Sequence, residues 1–219
     1  MNMRTKNALY FENIDWTVNK VGEEVRTGLE LLNSIDSKII TFFGSHKMKP
    51  GNTYYEDAKT FARKLGEKGD AIMTGGGPGL MEAANAGAKE AGAESIGIQA
   101  SLLTEEQVAD ENFTQKLPIH FLFVRRFLLA IKSDALVFYP GGYGTLNELF
   151  EYATLIQTEM VDEVPIICVN KDYYQGLFDW LKNNPLKEGY LKHYMTDLKL
   201  IRYVEDHMEA LEILDKELK

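Results

Sequence analysis

The chain of 219 residues holds one cysteine, Cys168, so no internal disulfide can form. That cysteine lies in the apolar run Val164–Val169 and reads as a buried core thiol. No apolar run approaches the ~18 residues that a helical membrane span requires, and no membrane partner is expected. Positive charge is scarce: 24 Lys and Arg stand against 33 Asp and Glu, a net charge of −9. Such a surface repels phosphate backbones, so nucleic acid is not an expected partner, and any anionic ligand needs a local positive site. The four histidines, His46, His120, His193 and His207, have no metal-ligand spacing, and no metal site is expected. His46, beside the Gly44-Ser45 turn, is the one nearest a candidate site. Cys-x-x-Cys, His-Glu-x-x-His and Gly-x-Ser-x-Gly are all missing. The first residues, Met1-Asn2-Met3-Arg4-Thr5-Lys6, lead into polar sequence rather than an apolar segment. No signal peptide and a cytoplasmic location are therefore expected. There is no internal repeat or low-complexity stretch.

What is present is an alternation of short apolar runs and amphipathic stretches. Residues 1–18 lack periodicity and read as a possible N-terminal arm; residues 19–219 read as one domain. Val21, Val25, Leu29 and Leu32 share one face of a helix over 19–35. Strands are expected at 38–43, 71–74, 95–98, 135–139, 164–169 and 198–204. Helices are expected at 53–68, 80–91, 125–132, 145–160, 173–184 and 205–218, and 99–120 reads as a loop with some helical character. Buried strands joined by helices imply a parallel sheet covered on both faces. The expected fold is therefore α/β: a doubly wound, Rossmann-like, mostly parallel sheet with helices on both faces.

In such a sheet, ligands bind beyond the carboxyl ends of the strands. Three of those ends carry glycine. The first gives Gly44-Ser45, the second Gly75-Gly76-Gly77-Pro78-Gly79-Leu80-Met81, and the fourth Pro140-Gly141-Gly142-Tyr143-Gly144-Thr145-Leu146-Asn147-Glu148. A glycine-rich turn opening a helix offers free N–H groups and the positive end of a helix dipole to an anion. Neither longer turn has the dinucleotide fingerprint with its acidic residue, nor the Gly-Lys-Ser/Thr of a P-loop, so ATP or GTP hydrolysis is not expected. Met81 could form an adaptable wall for a flat base or simply fill core.

Arg125-Arg126 stands in apolar surroundings, between Phe121-Leu122-Phe123-Val124 and Phe127-Leu128-Leu129. Buried guanidinium groups need an anion, which can be a carboxylate of the fold or a ligand phosphate. A carboxylate beside an anion cradle is electrostatically costly, which points to a chemical role for Glu148; the alternative is an exposed acid complementing the helix dipole. Glu151, three residues on, shares the face of Glu148. The two carboxylates could divide acid and base work, or one could hold an arginine.

Three segments together, Phe43-Gly44-Ser45, Gly75–Met81 and the Pro-Gly-Gly-x-Gly-Thr-x-x-Glu run at 140–148, resemble the LONELY GUY (LOG) family. The resemblance spans roughly residues 38–184. Members of that family are phosphoribohydrolases that release a free base from nucleoside 5′-monophosphates, including cytokinin riboside monophosphates. They were long labelled lysine decarboxylases, yet no lysine here has a recognisable pyridoxal-phosphate context. The resemblance implies that Glu148 and Arg125 are catalytic. It implies that Gly141, Gly142, Tyr143, Gly144 and Thr145 cradle the phosphate, with Gly44, Ser45, Gly75, Gly76, Gly77, Met81 and Arg126 completing the binding site. Arg126 replaces the family's lysine, which keeps the charge but puts a fork where a point charge stood. No cofactor is implied, and a homodimer or larger homo-oligomer is. A carboxylate under the sugar would stabilise an oxocarbenium-like state and orient water. The rival reading is a non-catalytic nucleotide sensor or carrier on the same fold.

Overall fold

The computed structural model describes residues 8–102, 108, 110–191 and 200–218. Its seven strands are β1 (Ile39–Phe43), β2 (Ala71–Thr74), β3 (Ser95–Ala100), β4 (Gln115–Ile119), β5 (Ala135–Phe138), β6 (Ile166–Val169) and β7 (Ile201–Val204). They form one sheet in the order β4-β3-β2-β1-β5-β6-β7, and every adjacent pair is parallel. The chain builds outward from β1 to β4, then returns to the other side of β1 and builds outward again. The expected α/β doubly wound architecture is therefore what the chain adopts, with a sheet that is parallel throughout.

Helices α1 (Ala8–Glu12), α2 (Ile14–Asn33), α3 (Thr53–Glu67), α4 (Leu80–Glu90), α5 (Leu122–Ile131), α6 (Tyr143–Gln157), α7 (Lys171–Leu181) and α8 (His207–Glu217) account for the α-helices among the described residues. One face of the sheet packs on α3, α4 and α8 through Phe61, Ala84 and Leu214. The other packs on α2, α5, α6 and α7 through Leu32, Leu128, Tyr152 and Phe178. Alternate strand residues feed the two cores: Ile39 and Phe43 of β1 one, Ile40 and Phe42 the other. Removing this much apolar side chain from water is the main stabilising term. Cys168 is fully buried in β6, where the apolar surroundings push its thiol pKa up and leave it unreactive.

The structure departs from the sequence expectations in three places. Residues 8–12 and 14–18 are helical, and Asn13 between them caps α2 by accepting from the Trp16 N–H at 2.9 Å. Trp16 packs edge-on against His120, which ties this segment to the body of the fold; residues 1–7 of the expected arm lie outside the described residues. On α2, Leu29 is exposed, and the buried positions are Glu24, Gly28 and Leu32. Gly28 is needed there because a Cβ would fall 2.3 Å from Leu128 Cδ1 of α5. Within the expected loop at 99–120, residues 115–119 form β4. Residues 115–118 alternate between partly buried and exposed before the buried Ile119, and they include Pro118, a pattern compatible with an edge strand and not with an interior one. Parts of that loop, 103–107 and 109, and residues 198–199 of the last expected strand lie outside the described residues.

Candidate active site

A cavity of about 660 Å³ opens at the carboxyl ends of β1, β2, β3 and β5, where the strand order reverses. Three glycine-bearing turns interlock to make its floor. The Ser45 N–H donates to the Pro140 carbonyl at 3.1 Å, and the Leu80 N–H donates to the Ser45 carbonyl at 3.1 Å. Gly79 adopts φ +74, and a Cβ there would meet the Ser45 carbonyl oxygen at 2.5 Å, so only glycine fits. Behind the second turn, a buried network runs from Thr74 through Asn85 to Ser95 and fixes α4 against β2 and β3.

Helix α6 begins directly after β5. Its N-cap is Gly142, which has no side chain to cap with, and its first turn carries no acidic residue. The leading N–H groups are thus left for an outside acceptor. Thr145 is buried and lines the cavity, and its hydroxyl has no protein partner among the described residues. Tyr143 lies at the mouth and is 95% exposed. Gly141 stands behind the lining: a Cβ there would collide with Thr145 Oγ1 at 2.1 Å, and its carbonyl accepts from the Tyr173 hydroxyl at 2.6 Å.

Glu148 lies one turn into α6 and faces the cavity with a 12% exposed side chain. Burial raises its pKa to about 7, outweighing the lowering by Arg125 and Arg126, while Glu151 adds to the rise. Arg125 approaches from α5, with Nη1 3.8 Å from Glu148 Oε1. Its Nε donates to the Ile98 carbonyl at 2.8 Å and its Nη2 to the Gly75 carbonyl at 3.1 Å. Two strand ends therefore aim one guanidinium at the carboxylate, and Nη1 is left to meet a ligand. Arg126 does not line the cavity; it is ion-paired with Glu151. The two possible fates of a buried arginine are thus split between neighbours.

Of the residues singled out from sequence, Gly44, Ser45, Gly75, Gly76, Gly77, Met81, Arg125, Gly142, Tyr143, Gly144, Thr145 and Glu148 meet around this cavity. His46 also lines it; His193 lies outside the described residues. Sequence reasoning passed over Gln99, Pro118 and Leu122 in the wall. It also passed over Glu24, 4% exposed on α2, whose carboxylate accepts from the N–H groups of His120 and Phe121 at 2.7 and 3.2 Å. Phe121 is the N-cap residue of α5 and cannot cap it, so Glu24 supplies that charge-assisted cap from another helix. The helix that carries Arg125 is anchored in this way. No sequence pattern announces a partner 96 residues away. Among the described residues, no group of three or more His, Cys, Asp or Glu side chains could hold a metal ion, and no helix is long and apolar enough to cross a membrane.

A family model described as possible lysine decarboxylase matches residues 81–214. Two cytokinin riboside 5′-monophosphate phosphoribohydrolases of Arabidopsis thaliana are similar to this chain. One is 29% identical, covering 75% of this chain and 72% of the relative. The other is 30% identical, covering 70% and 71%. Among solved structures, the molybdenum cofactor binding protein of Rippkaea orientalis superposes with a TM-score of 0.63 at 24% identity, covering 85% of this chain and all of that one. The molybdenum cofactor carrier protein of Chlamydomonas reinhardtii gives 0.61 at 20% identity, covering 83% and 99%. At these identities the two structures speak to the fold alone.

Proposed function

Because this chain belongs to the LOG family, we propose that it hydrolyses the N-glycosidic bond of a nucleoside 5′-monophosphate, releasing the base and ribose 5-phosphate. The proposed substrate is AMP or an N6-modified AMP such as a cytokinin riboside monophosphate. The observation that carries this reading is the buried Glu148 carboxyl facing Arg125 beside the uncapped start of α6. A carrier of anions gains nothing from a carboxylate in that position. The decarboxylase description has no counterpart in the side chains: Lys47, the one lysine lining the cavity among the described residues, is exposed rather than desolvated.

The proposed mechanism follows from placement. The 5′-phosphate sits on the leading N–H groups of α6 and the Thr145 hydroxyl, as a remote handle that holds the sugar in register. Glu148, ionised, faces the ribose carbon as the bond to the base stretches and positive charge develops on the sugar. It stabilises that charge and orients the attacking water. Arg125 steadies the phosphate or ribose and offsets the carboxylate. The water oxygen bonds to the sugar carbon, and the base leaves with the bonding electrons and takes up a proton.

A chromatographic screen of nucleoside monophosphates for free base tests the reading. Tight binding with no base released from any of them would favour the sensor or carrier instead. Thr145→Ala is expected to raise KM for AMP about tenfold, the loss of one charge-assisted hydrogen bond, and to leave binding of adenosine nearly unchanged. Equal weakening of both ligands would remove the phosphate cradle.

A homodimer or larger assembly is proposed through the exposed apolar face of α5, made by Leu122, Phe123, Phe127 and Ile131 next to the cavity mouth. Sedimentation equilibrium is expected to show at least twice the 24.8 kDa chain mass. A monomer at every concentration would refute the assembly.

A further inference from the structure

Gln99 sits near the carboxyl end of β3, is 8% exposed and lines the cavity, yet has no task in the proposed hydrolysis. Its Nε2 donates to the Gly76 carbonyl at 2.8 Å. The bond fixes which way the carboxamide points, because its oxygen would be repelled by that carbonyl. The fit also depends on glycine: Gly76 has φ +65, and a Cβ there would fall 2.4 Å from Gln99 Cγ. The Gln99 Oε1 has no donor among the described residues. Nor is it sealed in, since no buried side-chain nitrogen or oxygen there lacks a partner. It therefore presents an unused acceptor to the cavity that the residue lines. Asn85, the neighbouring buried carboxamide, by contrast spends its groups on Thr74, Ser95 and Ile96.

The position of that acceptor decides what meets it. Strand β3 is three places from β5 in the sheet, roughly 14 Å at the usual strand spacing. A nucleoside monophosphate with its phosphate at the start of α6 would extend across β1 and β2 toward that end of the cavity. Arg125, bonded to Ile98 of β3 and facing Glu148, occupies the middle of this path, where the sugar lies. The far end is walled by Ala100, Pro118 and Leu122, surfaces suited to a flat ring.

Resting on the hydrolase reading, we infer that Gln99 is the specificity-determining residue for the base: its Oε1 accepts a hydrogen bond from an exocyclic amino N–H, so the site takes amino bases and rejects oxo bases. An oxo base would set oxygen against oxygen and leave the acceptor unpaired. A singly substituted N6 keeps one N–H and passes; a doubly substituted N6 has none and fails.

The test is kcat/KM for AMP, N6-methyl-AMP, N6,N6-dimethyl-AMP and IMP on the full chain. The wild type is expected to favour AMP and N6-methyl-AMP over the dimethyl and oxo nucleotides by roughly 10- to 100-fold. Gln99→Leu is expected to bring the AMP to IMP ratio within about threefold of one, mostly by loss of AMP turnover. Equal rates on AMP and IMP in the wild type, or a Gln99→Leu variant that slows both alike, would overturn the assignment. The wild-type comparison needs no variant, so a misfolded Gln99→Leu does not blunt it. If no nucleotide yields base, the hydrolase reading fails separately, and calorimetric affinities of wild type and Gln99→Leu for AMP and IMP take over the test. An AMP preference that shrinks in Gln99→Leu sustains Gln99 as the reader of the base, and equal wild-type affinities end it.

Discussion

Glu148→Gln is expected to lower AMP turnover about a thousandfold, because it removes the charge that meets the developing sugar cation and the group that orients water. The amide is nearly isosteric, so binding of AMP is expected to persist. The same substitution is expected to stabilise the fold at alkaline pH. The Glu148 carboxyl has a folded-state pKa of about 7 against an ordinary 4.5. A raised carboxylate pKa means the folded chain holds the proton more tightly than the unfolded one. Stability from this group is thus present below pH 4.5 and is lost as pH rises through the window to 7. At about 1.4 kcal/mol per unit, the buried charge costs on the order of 3 kcal/mol above pH 7, and glutamine is free of that cost. Melting curves at pH 8 and pH 5 read this directly: a gain at pH 8 that mostly vanishes at pH 5. By the same titration, kcat/KM of the wild type should climb between pH 6 and pH 8. Undiminished turnover in the variant would take Glu148 out of the reaction, and an equal stability change at both pH values would contradict its burial.

Gly75→Ala is expected to cost about 100-fold in turnover with little loss of stability. A Cβ at residue 75 would fall 1.6 Å from Arg125 Nη2 and 2.8 Å from its Cζ, so the guanidinium must leave its place. The atoms in the way, the Arg125 guanidinium and the Met81 Sδ at 2.9 Å, are far ends of flexible side chains that line the cavity. The melting temperature is expected to stay within about 5 °C of wild type. Gly22→Ala is the control, since a Cβ there has nothing within 4 Å and favours helix α2. Full activity in Gly75→Ala would mean that Arg125 does not need its present position.

The long apolar runs and the glycine turns were legible in the sequence because each obeys a local rule. The 135–139 run and the turn after it announce strand, cradle and helix within a few residues. What escaped was set by distance or by register. Glu24 caps a helix across 96 residues, and no local pattern encodes that. Gln99 faces the cavity because β3 ends where it does beside Gly76, which only the sheet decides. Strand β4 hid behind Pro118 and its polar alternation, which resemble a loop until an edge is available to hold them. The two arginines show the limit most plainly. Successive helical residues point about 100° apart, so one of an adjacent pair can face a cavity while the other turns aside. The sequence offered both, and the packing of α5 gave Arg125 to Glu148 and Arg126 to Glu151.

The strand order has a consequence for how the chain is made. Strand β1 lies between β2 and β5, and its Ile40 must wait for Ala135 before its second edge is covered. On a ribosome adding about 5–20 residues per second, the nascent sheet carries that bare edge for several seconds or more. A bare parallel edge is a template for wrong pairing, so this interval exposes the chain to it. Because β1 and β5 both floor the cavity, a ligand cannot rescue the half-made sheet; there is nothing complete to grip until the second half has emerged.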